Sequence, residues 1–202
     1  WLCGDHIVEQ HIHNLDVINW LKDAYPVTAQ GQGGRQVRTS NEHGEIYDHH
    51  MVEFTYKDGT KLLSQCRHIS NCWDRVGEEA HGSNGSADIG GARIMDHEGN
   101  VIWKYGRGGG NGWQQEHHDL FALLRKGEIP NEGEYGALST MTAIFGRMAT
   151  YSGKMLKWDD ALNSDLVISP VDDYTGFDDT PPTLPNEDGS YEIPTPGITQ
   201  VI

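Results

Sequence analysis

Between Asp5 and Lys22 apolar residues recur at steps of three and four: Val8, Ile12, Leu15 and then Ile18 or Asn19. That spacing lays one stripe along a helix, so an amphipathic helix is predicted, with Asp5 as its N-cap and Pro26 just beyond its end. The pattern then shortens to strands. Runs over 45–56 and 61–69 flank Lys57-Asp58-Gly59-Thr60, and Asp-Gly in that position predicts a hairpin closed by a two-residue type I′ turn. With Asp58 and Gly59 as the turn, His50 faces Arg67 and His49 faces His68 across the ladder. A second hairpin is predicted over 87–105, turning at Glu98-Gly99-Asn100, with Gly82-Ser83-Asn84-Gly85-Ser86 as a loop before it.

Helical spacing returns after residue 110. Asn111 can cap a helix running to Lys126, with Trp113, His117, Leu120, Phe121 and Leu124 on one side and Gly127 at its end. Another is predicted over 134–151, with Ala137, Met141, Ile144, Phe145 and Met148 as its buried stripe and Gly153 as terminator. Trp158-Asp159-Asp160 leads into a further helical turn. Beyond Ser169 the prolines at 170, 181, 182, 185, 194 and 196 stand among acids and glycines, which suits an extended tail. The order helix, strands, helices predicts an α+β fold with an open, largely antiparallel sheet and helices on one face. Residues 1–169 form the domain in this reading, and 170–202 the tail.

Composition narrows the partners. Thirty acidic against fifteen basic residues give a formal charge of -15, a field that repels a nucleic-acid backbone. No apolar run approaches the roughly 18 to 20 residues of a membrane helix, so no membrane partner is expected. The three cysteines, Cys3, Cys66 and Cys72, form no Cys-x-x-Cys unit and read as small buried thiols rather than a disulfide scaffold or zinc site. The chain begins at Trp1 rather than Met, so upstream sequence is expected, and any export signal would lie there.

Candidate chemistry concentrates on the first helix. Glu9, His13, Asp16 and Trp20 are spaced four, three and four apart and would share one face. A histidine between two carboxylates suits proton transfer, although a solvated acidic face has the same pattern. On the first hairpin, His49, His50, Arg67 and His68 could present imidazole and guanidinium to sugar hydroxyls, or form a polar sheet edge. His117 could line the same pocket or simply pack. With eleven histidines a metal site has to be weighed. His11 and His13 point apart on a helix, and a set of Glu9 and His13 with His49 or His50 is the alternative, but no functional metal is expected. Gly31-Gln32-Gly33-Gly34-Arg35-Gln36 and Gly106-Arg107-Gly108-Gly109-Gly110-Asn111 lack the third glycine of a dinucleotide fingerprint and read as loops.

The stretch Gly4-Asp5-His6-Ile7-Val8-Glu9-Gln10-His11-Ile12-His13-Asn14-Leu15-Asp16 resembles the catalytic helix of the Gfo/Idh/MocA oxidoreductases, the glucose–fructose oxidoreductase and inositol dehydrogenase family. Glu9, His13 and Asp16 fall on that family's acid, histidine and aspartate. The likeness continues through Gly33-Gly34-Arg35-Gln36-Val37-Arg38, Asp48-His49-His50, Gln65-Cys66-Arg67-His68-Ile69, Gln115-Glu116-His117, and from Ser139 to Trp158. It covers most of the chain and is similar to the family's C-terminal domain, in a subgroup whose members are often exported bacterial proteins. Glu9 replaces the usual Asp and His11 a usual small residue, so the substrate does not carry over from the best-known members.

The resemblance implies an oxidoreductase acting on a CH–OH group of a sugar or polyol, with NAD or NADP held mainly by a Rossmann domain upstream. The chain by itself would then be inactive. In this reading His13 is the general acid or base, Glu9 and Asp16 orient and tune it, and His49, His50, Arg67, His68 and His117 are candidates for substrate binding. A homo-oligomer through the open sheet face is expected, with Met51, Glu53, Ser64 and Cys66 on that face. A periplasmic or exported location follows from the subgroup, with a cytoplasmic one as the alternative. Competing readings are an NAD-dependent glycosidase or keto-sugar lyase of the same superfamily, and a non-catalytic sugar-binding or assembly module.

Overall fold

The computed structural model describes residues 3–106, 111–169 and 174–202. The chain divides into two compact units, one of Trp1–Trp73 with Leu138–Ile202 and one of Asp74–Ala137. The larger unit holds α1 (Asp5–Glu9), α2 (Ile12–Lys22), β1 (Thr28–Gly34), β2 (His49–Thr55) and β3 (Lys61–Arg67). It also holds most of α4 (Gly133–Ser152), then β8 (Leu156–Lys157) and α5 (Trp158–Leu162). The smaller unit holds β4 (Glu79–Gly82), β5 (Gly85–Asp88), β6 (Arg93–Met95), β7 (Val101–Lys104) and α3 (Gly112–Arg125).

In the larger unit the strands run antiparallel in the order β3-β2-β1-β8. Strand β2 alternates as a half-buried strand should, with His50, Val52 and Phe54 inward and Met51 exposed. The core joins Val52 and Phe54 to Ile7 and Leu15 from α1 and α2, and to Ala143, Phe145 and Ala149 from α4. The rings of Phe54 and Phe145 lie 6.3 Å apart, and Phe145 meets Trp158 edge-on at 5.5 Å.

Strand β1 corrects the reading of its glycine run as a loop. The run has no β-branched or aromatic residue to announce a strand, and its glycines serve approach rather than turning. A Cβ on Gly31 would lie 2.6 Å from the Met51 carbonyl oxygen and 2.9 Å from Thr150 Cγ2. One on Gly33 would lie 2.8 Å from the His49 carbonyl oxygen. Bare glycine is what lets α4 lie against β1. The same logic corrects the predicted stripe of α4. Phe145 is buried, but Ala137 and Ile144 are exposed, and the inward face carries Ser139, Thr142, Gly146, Ala149 and Thr150. A Cβ on Gly146 would stand 2.8 Å from Phe54 Cζ and 2.9 Å from Ile7 Cδ1.

The first hairpin has a three-residue loop, Lys57-Asp58-Gly59. The Tyr56 amide donates to the Thr60 carbonyl at 2.9 Å, and Gly59 takes the left-handed φ of 84° that ends such loops. This slips the expected pairing by one residue. His49 faces Arg67 and His50 faces Cys66, and a one-residue slip exchanges faces. Ser64 and Cys66 therefore lie inward with His50, and Met51, Glu53, Leu63, Gln65 and Arg67 form the open face.

The predicted first helix is two helices. The chain breaks at Gln10 and His11, and Asp5, expected as a cap, is itself helical with φ 64° and is fully buried. Asn19, at the end of the predicted stripe, is buried by hydrogen bonds rather than apolar contact. It donates to Thr142 Oγ1 at 2.9 Å and accepts from Tyr56 Oη at 2.8 Å.

The smaller unit is a meander, β4-β5-β6-β7. The predicted loop over 82–86 is a hairpin turn, and Gly85 at φ 143° stands where a Cβ would meet the Met95 carbonyl oxygen at 2.0 Å. The β6-β7 pair matches the turn of the second predicted hairpin, but the expected first arm from Ala87 is divided by a turn over 89–92 into β5 and β6. In α3, Asn111 caps through its side chain onto the Trp113 amide at 3.1 Å, and Gly127 follows the helix at φ 79°. Its Trp113, Leu120, Phe121 and Leu124 are all exposed. Of the second glycine run, Arg107–Gly110 fall outside the described residues.

Pro170 lies outside the described residues, and 174–202 contain neither helix nor strand. This segment runs over the larger unit. Tyr47 Oη donates to the Pro194 carbonyl at 2.7 Å, the Gly197 amide to the Ser152 carbonyl at 2.7 Å, and Val201 is buried. Among the described residues no helix is long and apolar enough to cross a membrane.

Candidate active site

The start of α1 is held by a buried carboxylate. Asp5 Oδ2 accepts the Tyr47 amide at 3.1 Å and the Tyr151 hydroxyl at 2.7 Å, and lies 3.2 Å from His50 Nε2. Its Oδ1 takes Arg147 Nε at 3.3 Å. Burial pushes the Asp5 carboxyl pKa up, but hydrogen bonding to His50, the Arg147 charge and the Tyr151 hydroxyl outweigh it and hold the group below the usual carboxylate range. The hydrogen of Thr150 Oγ1 goes to the Arg147 carbonyl at 2.9 Å, so His50 Nδ1 donates to that oxygen at 3.0 Å. His50, a candidate for substrate contact, is thus committed inside the unit, with 3% of its surface exposed.

Helix α2 is bolted to α4 at two points. Ser139 Oγ donates to Asp16 Oδ1 at 2.7 Å, and one turn on Asn19 binds Thr142. Asp16 is therefore an anchor of the helix that carries His13. His13 sits in the first turn of α2 and Glu9 ends α1, both exposed. The single continuous face expected of Glu9, His13 and Asp16 is interrupted, because the break falls between the first two.

Around the break the structure gathers histidines that spacing did not group. The rings of His6 and His68 are 3.9 Å apart, and those of His6 and His11 6.3 Å. His11 Nε2 is 2.8 Å from Ser64 Oγ, and His68 Nε2 is 3.2 Å from Gln10 Oε1. Burial, helped by the neighbouring His6, lowers the His11 pKa to about 4, so it is a neutral hydrogen-bonding group near pH 7. Cys66 lies beneath, its thiol pKa pushed up to about 12 by burial, which makes it a packing group and not a nucleophile.

Asp48 builds the neighbouring loop. One oxygen accepts the backbone amides of Gln36, Val37 and Arg38 at 2.7 to 3.0 Å, and the other meets His49 Nδ1 at 2.8 Å. Burial raises its pKa, but these donors outweigh it and bring the group to about 2. The loop delivers Arg38, whose Nε donates to the His68 carbonyl at 3.3 Å. Of the remaining candidates, exposed Arg67 binds the Trp73 carbonyl at 2.8 Å, and His117, in the smaller unit, binds the Trp113 carbonyl of its own helix at 2.7 Å.

His68 is thus the hairpin candidate that joins the helix break. His6 and Arg38 were missed as members of the site. Both stood inside stretches already singled out for resemblance, but no periodicity links residues 6, 38 and 68. Among the described residues no group of three or more His, Cys, Asp or Glu is arranged to hold a metal ion. The Gly31–Gly34 run is a strand packed under α4 and offers no phosphate-cradling turn.

No protein-family model and no curated protein matches the chain. Solved structures do. A myo-inositol 2-dehydrogenase from Lactobacillus plantarum superposes with TM-score 0.56 at 20% identity, over 76% of this chain and 48% of its own. A scyllo-inositol dehydrogenase from Lactobacillus casei, with bound NAD(H) and scyllo-inositol, gives 0.58 at 16% identity, over 79% and 50%. The WlbA dehydrogenase from Bordetella pertussis, in complex with NADH and UDP-GlcNAcA, gives 0.53 at 13% identity, over 76% and 45%. The chain spans about half the length of the structures it matches. It has the fold of one half of these dehydrogenases, as the Gfo/Idh/MocA resemblance implies for its C-terminal domain.

Proposed function

We propose that this chain is the substrate-binding and catalytic half of an NAD(P)-dependent oxidoreductase of the Gfo/Idh/MocA type, acting on a CH–OH group of a sugar or polyol. One observation carries the reading. The Glu9, His13 and Asp16 pattern lies at the α1–α2 break of a chain that shares its fold with half of the inositol dehydrogenases. The nicotinamide cofactor, held by a dinucleotide-binding half, would accept or return the hydride. The part played by this chain is to seat the substrate and move its proton. Exposed His13 takes the hydroxyl proton or returns it. Asp16, tied to Ser139, keeps the helix of His13 in place, and Glu9 orients the substrate side of the break. His68 and Gln10, already hydrogen-bonded to each other, offer donors and acceptors to sugar hydroxyls.

The test is reduction of NAD and NADP by this chain joined to such a half, over a panel of cyclitols, aldoses and sugar acids. Turnover of at least one CH–OH substrate is expected. Hydrolysis of an aryl glycoside without net cofactor reduction would replace this reading with a glycosidase.

The proposal includes a homo-oligomer through the open face of the larger sheet, where Met51 and Leu63 are 48% and 61% exposed beside Glu53 and Lys61. Sedimentation at micromolar concentration should show a dimer or larger, and Leu63→Glu should dissociate it. A monomer throughout that range removes this part of the proposal.

A further inference from the structure

The chain carries twice as many acids as bases, yet three basic side chains meet at the helix break with no carboxylate against any of them. The His6 ring of α1 lies 3.9 Å from that of His68, which follows β3, and Arg38, from the Asp48-held loop, donates to the His68 carbonyl and adds its charge near both rings. Among the described residues no Asp or Glu oxygen lies within ion-pairing distance of His6, His68 or Arg38, although surface bases such as Lys22, Lys61, Arg75 and Arg93 each have one. Exposed Glu9 is the carboxylate whose charge acts on both imidazoles, without forming an ion pair with either, and two other acids are engaged elsewhere. Asp48 spends both oxygens on three backbone amides and His49, and Asp5 is enclosed by Arg147, Tyr151, Tyr47 and His50. His6 Nδ1 is buried without a hydrogen-bond partner among the described residues, a state that costs stability unless something supplies one.

From this arrangement we propose that His6, His68 and Arg38, with Gln10, form a subsite for the carboxylate of a sugar acid at the helix break that precedes His13. The inference rests on the oxidoreductase reading only for what the rest of the substrate does there. A carboxylate supplies the acceptor that His6 Nδ1 lacks, and a guanidinium beside imidazoles is the donor set that recognises it. The free site opposes protonation of its imidazoles. Burial comes first for both, then for His6 the charges of His68, His50 and Arg38, and for His68 that of Arg38, with Glu9 alone acting the other way. A bound carboxylate reverses the balance, so binding takes up protons and strengthens as pH falls from 7.5 to 5.5.

The test is a histidine-detected NMR titration of this chain with sodium glucuronate, glucose and sodium acetate in parallel. Glucuronate should shift the His6 and His68 ring signals and bind at least about tenfold more tightly than glucose. Arg38→Gln should weaken glucuronate by about tenfold or more, and Arg38→Lys, which keeps the charge but loses the guanidinium fork, should weaken it less. Because the loop is held through the Arg38 backbone amide, neither variant removes its anchor. Equal response to glucose and glucuronate, no response to either, or an unchanged affinity in Arg38→Gln overturns the proposal. Acetate matching glucuronate reduces the site to a general anion site and overturns the sugar-acid assignment. Cofactor reduction with neutral sugars alone would remove this subsite and leave the oxidoreductase reading intact. Glucuronate binding in an enzyme that reduces no cofactor would do the reverse.

Discussion

Replacing His13 by Ala in the chain joined to a cofactor-binding half is expected to lower kcat by roughly 10²- to 10⁴-fold, the usual worth of a positioned acid or base. Cofactor affinity should barely change, since the proposal places the cofactor on the dinucleotide-binding half. The side chain is exposed in the first turn of α2, so its removal leaves no cavity and the fold should persist. Asp16→Asn gives the contrasting result. It weakens the tie to Ser139 and should act through KM as well as kcat, because the helix that presents His13 loses an anchor. Steady-state kinetics of both variants distinguish the roles, and near wild-type kcat in His13→Ala would reduce this helix end to a solvated surface.

Asp5→Asn should cost about 3 to 5 kcal/mol of folding stability, the range for breaking a buried ion pair by removing one partner. The substitution keeps the side chain's shape, and Asn tolerates the left-handed φ of 64° about as well as Asp. What it removes is the charge facing Arg147, which is largely buried. The effect depends on pH in a definite direction. The folded Asp5 pKa is below the unfolded value of about 3.9. Its contribution is therefore complete above that value and fades as pH falls through the lower folded one. Urea denaturation at pH 7 and at pH 3 should show the gap between wild type and Asp5→Asn narrowing in acid. A gap under about 1 kcal/mol at neutral pH would mean that Arg147 finds other partners.

Local chemistry carried much of the architecture into the sequence. The Asn111 cap, the glycines after α3 and α4, and the Asp-Gly turn act within a few residues, so their signals survive without knowledge of the fold. The errors share a different cause. Strand β1 was concealed because its glycines answer to α4, about 120 residues away in the chain, and the inward face of α4 was misjudged because close helix–sheet approach selects Ser, Thr, Gly and Ala over large apolar residues. The hairpin was foreseen, but its register turned on one extra loop residue, which sent His50 and Cys66 inward and Arg67 outward.

The candidate site divides the same way. By itself the sequence determined that Glu9, His13 and Asp16 lie close along the chain, that the chain is acidic and that its elements form an α+β fold, since these depend on order and composition. Only the tertiary structure decided that the helix breaks between Glu9 and His13, that Asp16 serves as an anchor, and that His6, Arg38 and His68 converge. The convergence is held by one buried carboxylate at the start of α1 and one loop-binding carboxylate, Asp5 and Asp48. The worth of each comes from partners that folding delivers and from exclusion of water, and neither is written in the spacing of residues.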